Sequence, residues 1–142
     1  MKSIYATVTI TNEQDLLDAK RHMIGEDEIR TCEWNMLVDT GAVMLCLNES
    51  IQEILNLPVL GYKKSTTATG ERVTIQMVGP VRIGFDERFS ISDALILPGD
   101  SEPLLGAIPM EAMDLVVNPS SQKLSGNPKH GGEWILTLKG IR

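Results

Sequence analysis

Apolar and polar residues alternate at the start of the chain. Ile4, Ala6, Val8 and Ile10 interleave with Tyr5, Thr7 and Thr9, a period of two rich in β-branched side chains that predicts a strand. Asn12 and Asp15 then offer caps for a short helix over Asp15–Met23, with Leu16, Leu17 and Met23 as its apolar residues. Gly25 to Glu28 reads as a turn. Extended structure resumes over Ile29–Val38 and ends in the apolar run Met36-Leu37-Val38. Val43–Leu47 is a further strand candidate. Asn48 caps a predicted helix over Glu49–Leu55 whose Ile51, Ile54 and Leu55 fall at helical spacing, and Pro58 stops it.

The second half is punctuated by turn residues. Thr66–Arg72, centred on Gly70, reads as a hairpin tip. Val73–Ile83, Phe89–Leu97 and Trp134–Leu138 read as strands, with Gly79-Pro80, Gly84–Glu87 and Pro98-Gly99-Asp100 as breaks. Ala107–Met113 is a short helix with Pro109 in its first turn. No internal repeat or low-complexity stretch is visible. The sum is a mostly β chain with one to three short helices, which suggests a closed or sandwich-like architecture.

Composition narrows the function classes. With 142 residues, 42% hydrophobic and 23% charged, the chain reads as one globular domain that needs no metal or disulfide to fold. A net charge of −6 argues against a general nucleic-acid binder, which needs a basic face for phosphates. Met1 to Ile10 carry no long apolar run and read as neither a signal peptide nor a membrane span. The expected location is the cytoplasm, where Cys32 and Cys46 are expected as free thiols, the alternative being a disulfide between them if their two strands are neighbours. Their spacing fits no metal motif, and neither His22 nor His130 has a cysteine near it. No metal and no cofactor is expected, and His130 reads as a solvated loop residue.

One segment carries chemistry: Met36-Leu37-Val38-Asp39-Thr40-Gly41-Ala42. The apolar run buries the strand, so Asp39 emerges at the edge of a core, partly desolvated. Gly41 lets the backbone turn and approach closely. The Thr40 hydroxyl can brace the loop. A carboxylate held this way is poised for acid–base work. The tripeptide alone is also a common structural turn, so its surroundings decide.

Those surroundings resemble the retropepsin-like (clan AA) aspartic proteases, in particular the single-domain bacterial type with one Asp-Thr-Gly per chain. Leu37 to Ala42 resembles the catalytic loop, with Asp39 as the catalytic residue and Thr40, Gly41 and Ala42 as its support. Leu47–Leu57 is similar to the turn and helix that follow. Thr67, Ala68, Thr69, Gly70 and Glu71, within Ser65–Arg72, stand where the family has its substrate-covering flap. Leu104, Leu105 and Gly106, leading into Ala107–Met113, resemble the second signature, and Asp114–Pro119 the strand after it. From the residues themselves, the two leucines would fill the space beneath the catalytic loop, and Gly106 would let two backbone segments cross.

The resemblance spans Ile4–Leu124. It implies a single acid-protease domain over residues 1–142, in which 125–142 is a C-terminal extension. Three features depart from the family: a flap with one glycine, an inserted piece Asn12–Glu33, and the tail with Asn127-Pro128-Lys129-His130-Gly131-Gly132.

The resemblance further implies a retropepsin-like closed barrel and an aspartic endopeptidase, a hydrolase acting on polypeptide. The mechanism needs two carboxylates sharing a proton, and the chain has one Asp-Thr-Gly. The expected partner is therefore a second copy of the chain, paired through terminal strands (Ile4–Ile10 and Trp134–Leu138) that would otherwise be exposed sheet edges. The alternative is a catalytically silent dimer that binds extended peptides in the same cleft.

Overall fold

The structure is a computed structural model and describes residues 3–136 and 138. It is mostly β. Nine strands and three short α-helices follow one another among the described residues: β1 Tyr5–Asn12, α1 Glu13–Lys20, β2 Thr31–Val38, β3 Leu45–Asn48, α2 Glu49–Leu55, β4 Val59–Thr66, β5 Arg72–Phe85, β6 Arg88–Leu97, β7 Leu104–Leu105, α3 Ala107–Ala112, β8 Leu115–Asn118 and β9 Lys123–Gly126. Seven strands form one sheet in the order β1-β2-β7-β3-β6-β5-β4, and a further β1–β5 pairing brings the sheet round into a ring with β4 outside it. β8 and β9 form a separate hairpin.

The period-two pattern of β1 is realised, with Ala6, Val8, Ile10 and Asn12 buried and Tyr5, Thr7 and Thr9 exposed. Inside the ring they meet Met36, Leu45, Leu47, Val81, Ile83 and Leu105. Fully burying one such aliphatic side chain is worth ~1.5–3 kcal/mol. Asn48 caps α2 as the sequence predicts, its side chain accepting from Ile51 N at 2.9 Å. The same side chain donates to Ser101 O at 3.0 Å, which ties α2 to the loop before β7.

Several expectations need correction. The first helix begins earlier, over Glu13–Lys20, and its inward side is polar. Glu13 and Asp15 are buried, whereas Leu17 and Met23 are exposed. The cause is long-range pairing: Glu13 takes two hydrogen bonds from Arg82 (2.8 and 3.0 Å), and Asp15 takes three from Arg30, one of them from its backbone N–H. The strand expected over Val73–Ile83 is present as β5, with Gly79-Pro80 inside it as a cis peptide, where the pairing with β6 is irregular between Val78 and Val81. β9 was not expected; it pairs with β8 from Leu115↔Gly126 to Asn118↔Lys123.

The terminal segments also differ. Ile4–Ile10 is a sheet edge only in part: β1 pairs with β2 from Tyr5 to Thr11, while its other side pairs with β5 only from Thr9 to Asn12. Trp134–Leu136 and Leu138 are not strand, and residue 137 of that predicted strand lies outside the described residues. Instead the Trp134 indole donates to Ala112 O at 2.9 Å and packs edge-on against Phe89, centroids 5.3 Å apart. His130 is not simply solvated, because its Nδ1 meets the Asp114 carboxylate. That hydrogen bond holds the Asp114 carboxyl below its usual range. Buried Arg88 completes the strap, donating to Met113 O, Asp114 O and Gly132 O.

The Asp15–Arg30 pair sets a pH dependence. Hydrogen bonds from Arg30 lower the Asp15 pKa. A depressed folded-state carboxylate pKa adds stability above the unfolded value, and the gain is lost as pH falls through the folded one. Asp15→Ala is therefore expected to cost ~1–3 kcal/mol at neutral pH, as for lost partly buried hydrogen bonds. The difference from wild type should shrink below about pH 4. Urea melts of both proteins across that range check it, and a pH-independent difference would mean that the ion pair is not its source.

Candidate active site

Asp39 follows directly on β2. Met36 is fully buried there, Leu37 and Val38 are half-buried, and Asp39 itself is half-buried. β2 is held on both sides. On one side it pairs with β1, and Val38 N donates to Ile4 O at 2.8 Å. On the other it runs parallel to β7, with Leu37 opposite Leu104 and Val38 opposite Leu105. The Asp39 N–H donates to Leu105 O at 3.0 Å. The carboxylate's backbone is thus anchored to the second conspicuous segment of the sequence.

The loop after Asp39 folds back on itself. Ala42 N donates to Asp39 O at 3.1 Å, and Gly41 N to the Asp39 carboxylate oxygen Oδ1 at 2.9 Å. A Cβ at Gly41 would stand 3.2 Å from that same oxygen, tighter than an ordinary contact, so the glycine gives the carboxylate room. The loop then crosses the Leu104–Gly106 segment. Ala107 N donates to Ala42 O at 2.7 Å and Ile108 N to Val43 O at 2.9 Å. At Gly106 a Cβ would meet Ala42 O at 2.8 Å and Met44 O closer still. Leu105 is fully buried beneath the crossing, and Leu104 is half-buried.

The sequence-predicted residues therefore fall into three groups. Asp39, Gly41, Ala42, Leu104, Leu105 and Gly106 come together in one interlocked pair of loops. Thr40 sits among them but is exposed, and its hydroxyl has no partner among the described residues of one chain, so the expected brace is not made internally. Thr67–Glu71 form the tip of the β4–β5 hairpin and are all exposed. That tip is closed by Thr67 N→Glu71 O (2.8 Å) and Gly70 N→Thr67 O (2.9 Å). Gly70 has φ +86°, a conformation that favours glycine.

A cavity of about 450 Å³ opens beside the carboxylate, lined by Ile4, Leu37, Val38, Asp39, Thr40 and Val117 among others. A hollow of about 490 Å³ lies elsewhere, between α2 and the β4–β5 hairpin at Glu53, Tyr62, Gln76 and Ile96. Size does not decide between them. Nor does carboxylate occupancy: one oxygen of Glu49 accepts from Gly99 N, as Oδ1 of Asp39 accepts from Gly41 N. What sets Asp39 apart is its place at the crossing of two loops, its N–H donating to Leu105 O and its carbonyl accepting from Ala42 N, with no hydrogen bond to Oδ2 among the described residues.

Cys32 and Cys46 are unpaired. Burial pushes the Cys46 thiol up, and the charge on Asp39 adds to this, so Cys46 sits as a neutral thiol within electrostatic reach of the carboxylate. Sequence reasoning does not single out three of the lining residues, Ser3, Ile4 and Val117. Ile4 is drawn to the site because its carbonyl accepts from Val38 N at 2.8 Å, which apolar pattern alone cannot reveal. Among the described residues no cluster of three or more His, Cys, Asp or Glu is arranged to hold a metal, and no helix is long and apolar enough to cross a membrane. In comparisons with known proteins, no family model and no curated protein matches the chain.

Proposed function

We propose that two copies of this chain pair to form an aspartic endopeptidase of the retropepsin-like type, with Asp39 of each copy supplying one carboxylate. The observation that carries the reading is the crossing of two loops at Gly106. It fixes the backbone on both sides of Asp39, while among the described residues one carboxylate oxygen has no hydrogen-bond partner. The ring-like sheet is the coarse architecture such a protease needs, and on this reading it is the closed barrel of the family.

In the paired site the two carboxylates stand too close for both to ionise, so they hold one proton between them. The ionised one takes a proton from a water, and the water oxygen attacks the scissile carbonyl carbon. The protonated one hydrogen-bonds the carbonyl oxygen and then gives its proton as the diol forms. Collapse of the diol breaks the C–N bond; the amine leaves with the dyad's proton, and one diol hydroxyl returns its proton to the other carboxylate, restoring the singly protonated dyad. Thr40, exposed in one chain, braces the loop of the other copy across the axis. The hairpin tip Thr67–Glu71 closes over the peptide and excludes water. The substrate is an extended polypeptide bound largely through its backbone.

The test is the dependence of activity on assembly. At micromolar concentration the protein should sediment as a homodimer, and hydrolysis per chain should fall on dilution as dimers separate. A monomer that cleaves peptide with unchanged specific activity would overturn the two-copy site. A dimer that binds a statine-type peptide without cutting its cleavable counterpart would instead favour the silent peptide-binding dimer.

A further inference from the structure

Lys63 lies in β4, opposite Ile75 of β5. Directly paired residues in an antiparallel ladder share a face, and Ile75 is buried. Lys63 therefore projects towards the body of the protein, although it is itself exposed. Its ammonium reaches across to the Met44 sulfur at 4.0 Å. Met44 belongs to the loop that follows Asp39, and its carbonyl oxygen is one of the two atoms crowding Gly106. The flap hairpin thus leans a cation onto the segment that carries the candidate catalytic residue.

The electrostatics of that contact are unbalanced. A thioether is a weak acceptor and leaves the ammonium uncompensated. The chain has 19 acidic residues against 13 basic, yet the ion pairs among the described residues involve Arg30, Arg82 and His130, and none reaches Lys63. Exposed to solvent, the ammonium is hydrated in the free chain and stands free to pair with a charge that a ligand brings between flap and loop. The backbone of an extended peptide is the same for every sequence, so a side-chain charge is what would discriminate.

We infer that Lys63 is a specificity residue of the cleft and selects peptides with a glutamate or aspartate side chain near the scissile bond. This rests on the peptide-cleft reading above and adds the substrate class to it. The ammonium pairs with the substrate carboxylate as the hairpin closes, and Met44 forms the apolar side of the same pocket.

The experiment uses the dimer and a series of non-cleavable statine-type peptides. Peptides are compared in pairs, with glutamate or glutamine at one position, and that position is moved along both sides of the statine. Wild type should bind the glutamate peptide of at least one pair about 1.5–5-fold more tightly, the range for an exposed ion pair. Lys63→Met should bind both members of that pair equally, and Lys63→Glu should reverse the preference. Both substitutions are at an exposed position, and melting curves check that the fold is kept. Binding with no charge preference in any pair, or a preference that survives Lys63→Met, overturns the inference while leaving the cleft intact. Binding of no peptide at all overturns the cleft reading and this inference with it.

Discussion

Asp39→Asn is expected to abolish peptide hydrolysis while leaving the fold and the pairing of two copies in place. The side chains are nearly isosteric, and the amide oxygen can still accept the Gly41 N–H that Asp39 Oδ1 takes at 2.9 Å. What disappears is the base. A positioned acid–base group typically contributes ~10²–10⁴ in rate, and in a symmetric dimer one substitution removes both carboxylates. The stability change has the opposite sign. Two carboxylates sharing a site repel when ionised, so the variant dimer should be at least as tight as wild type. The set of measurements is peptide hydrolysis, melting temperature and sedimentation on both proteins. Undiminished hydrolysis would reject Asp39, and a variant that fails to fold would show that the carboxylate's role is structural.

The parts of this molecule that are legible in its sequence are those fixed locally. α2 is read to the residue because its start depends on the Asn48 side chain and the N–H of Ile51, three positions on. The β4–β5 tip is legible because Gly70 sits at a positive φ that few other residues tolerate. The Asp39 loop and the Leu104–Gly106 segment are legible for a different reason. The two segments cross closely enough to demand a glycine at 106, so the motif survives without knowledge of the sheet.

What was misread depends on partners far along the chain. Nothing near Glu13 signals that Arg82 will bury it, so the sequence places the helix start at Asp15 and not at Glu13. β1 has the right alternation, but whether it is an edge depends on β5, some seventy positions away. Trp134–Leu138 has strand-like composition, and the contact of Trp134 with Ala112 and Phe89 overrides it. Lys63 is an unremarkable surface lysine until the register with Ile75 gives it a side.

Gly106→Ala is expected to be the most damaging small substitution in the molecule, for reasons of space alone. Its backbone has φ −87° and ψ −176°, which any residue adopts, so no conformational strain is involved. The added methyl carbon would stand 2.8 Å from Ala42 O and nearer to Met44 O. Both obstacles are backbone atoms, and neither can swing aside as a side-chain end would. The Ala42 carbonyl is held by Ala107 N at 2.7 Å, and the adjacent Val43 carbonyl by Ile108 N at 2.9 Å. The loop must therefore move as a unit, and the move reaches Asp39 through Asp39 O, which accepts from Ala42 N. Overpacking of this kind costs ~1–3 kcal/mol, a fall in melting temperature of roughly 3–10 °C for a chain of this size. The catalytic loss should exceed the stability loss, since a displacement of about 1 Å at a reacting group can cost ~10²-fold. Gly61→Ala is the matched control: its Cβ would meet only the mobile end of Met77 at 3.9 Å, so its melting temperature should stay close to wild type. Thermal melts and hydrolysis assays on both variants decide it. A Gly106→Ala protein that melts and cleaves like wild type would mean that the two loops do not cross here as closely as their hydrogen bonds require.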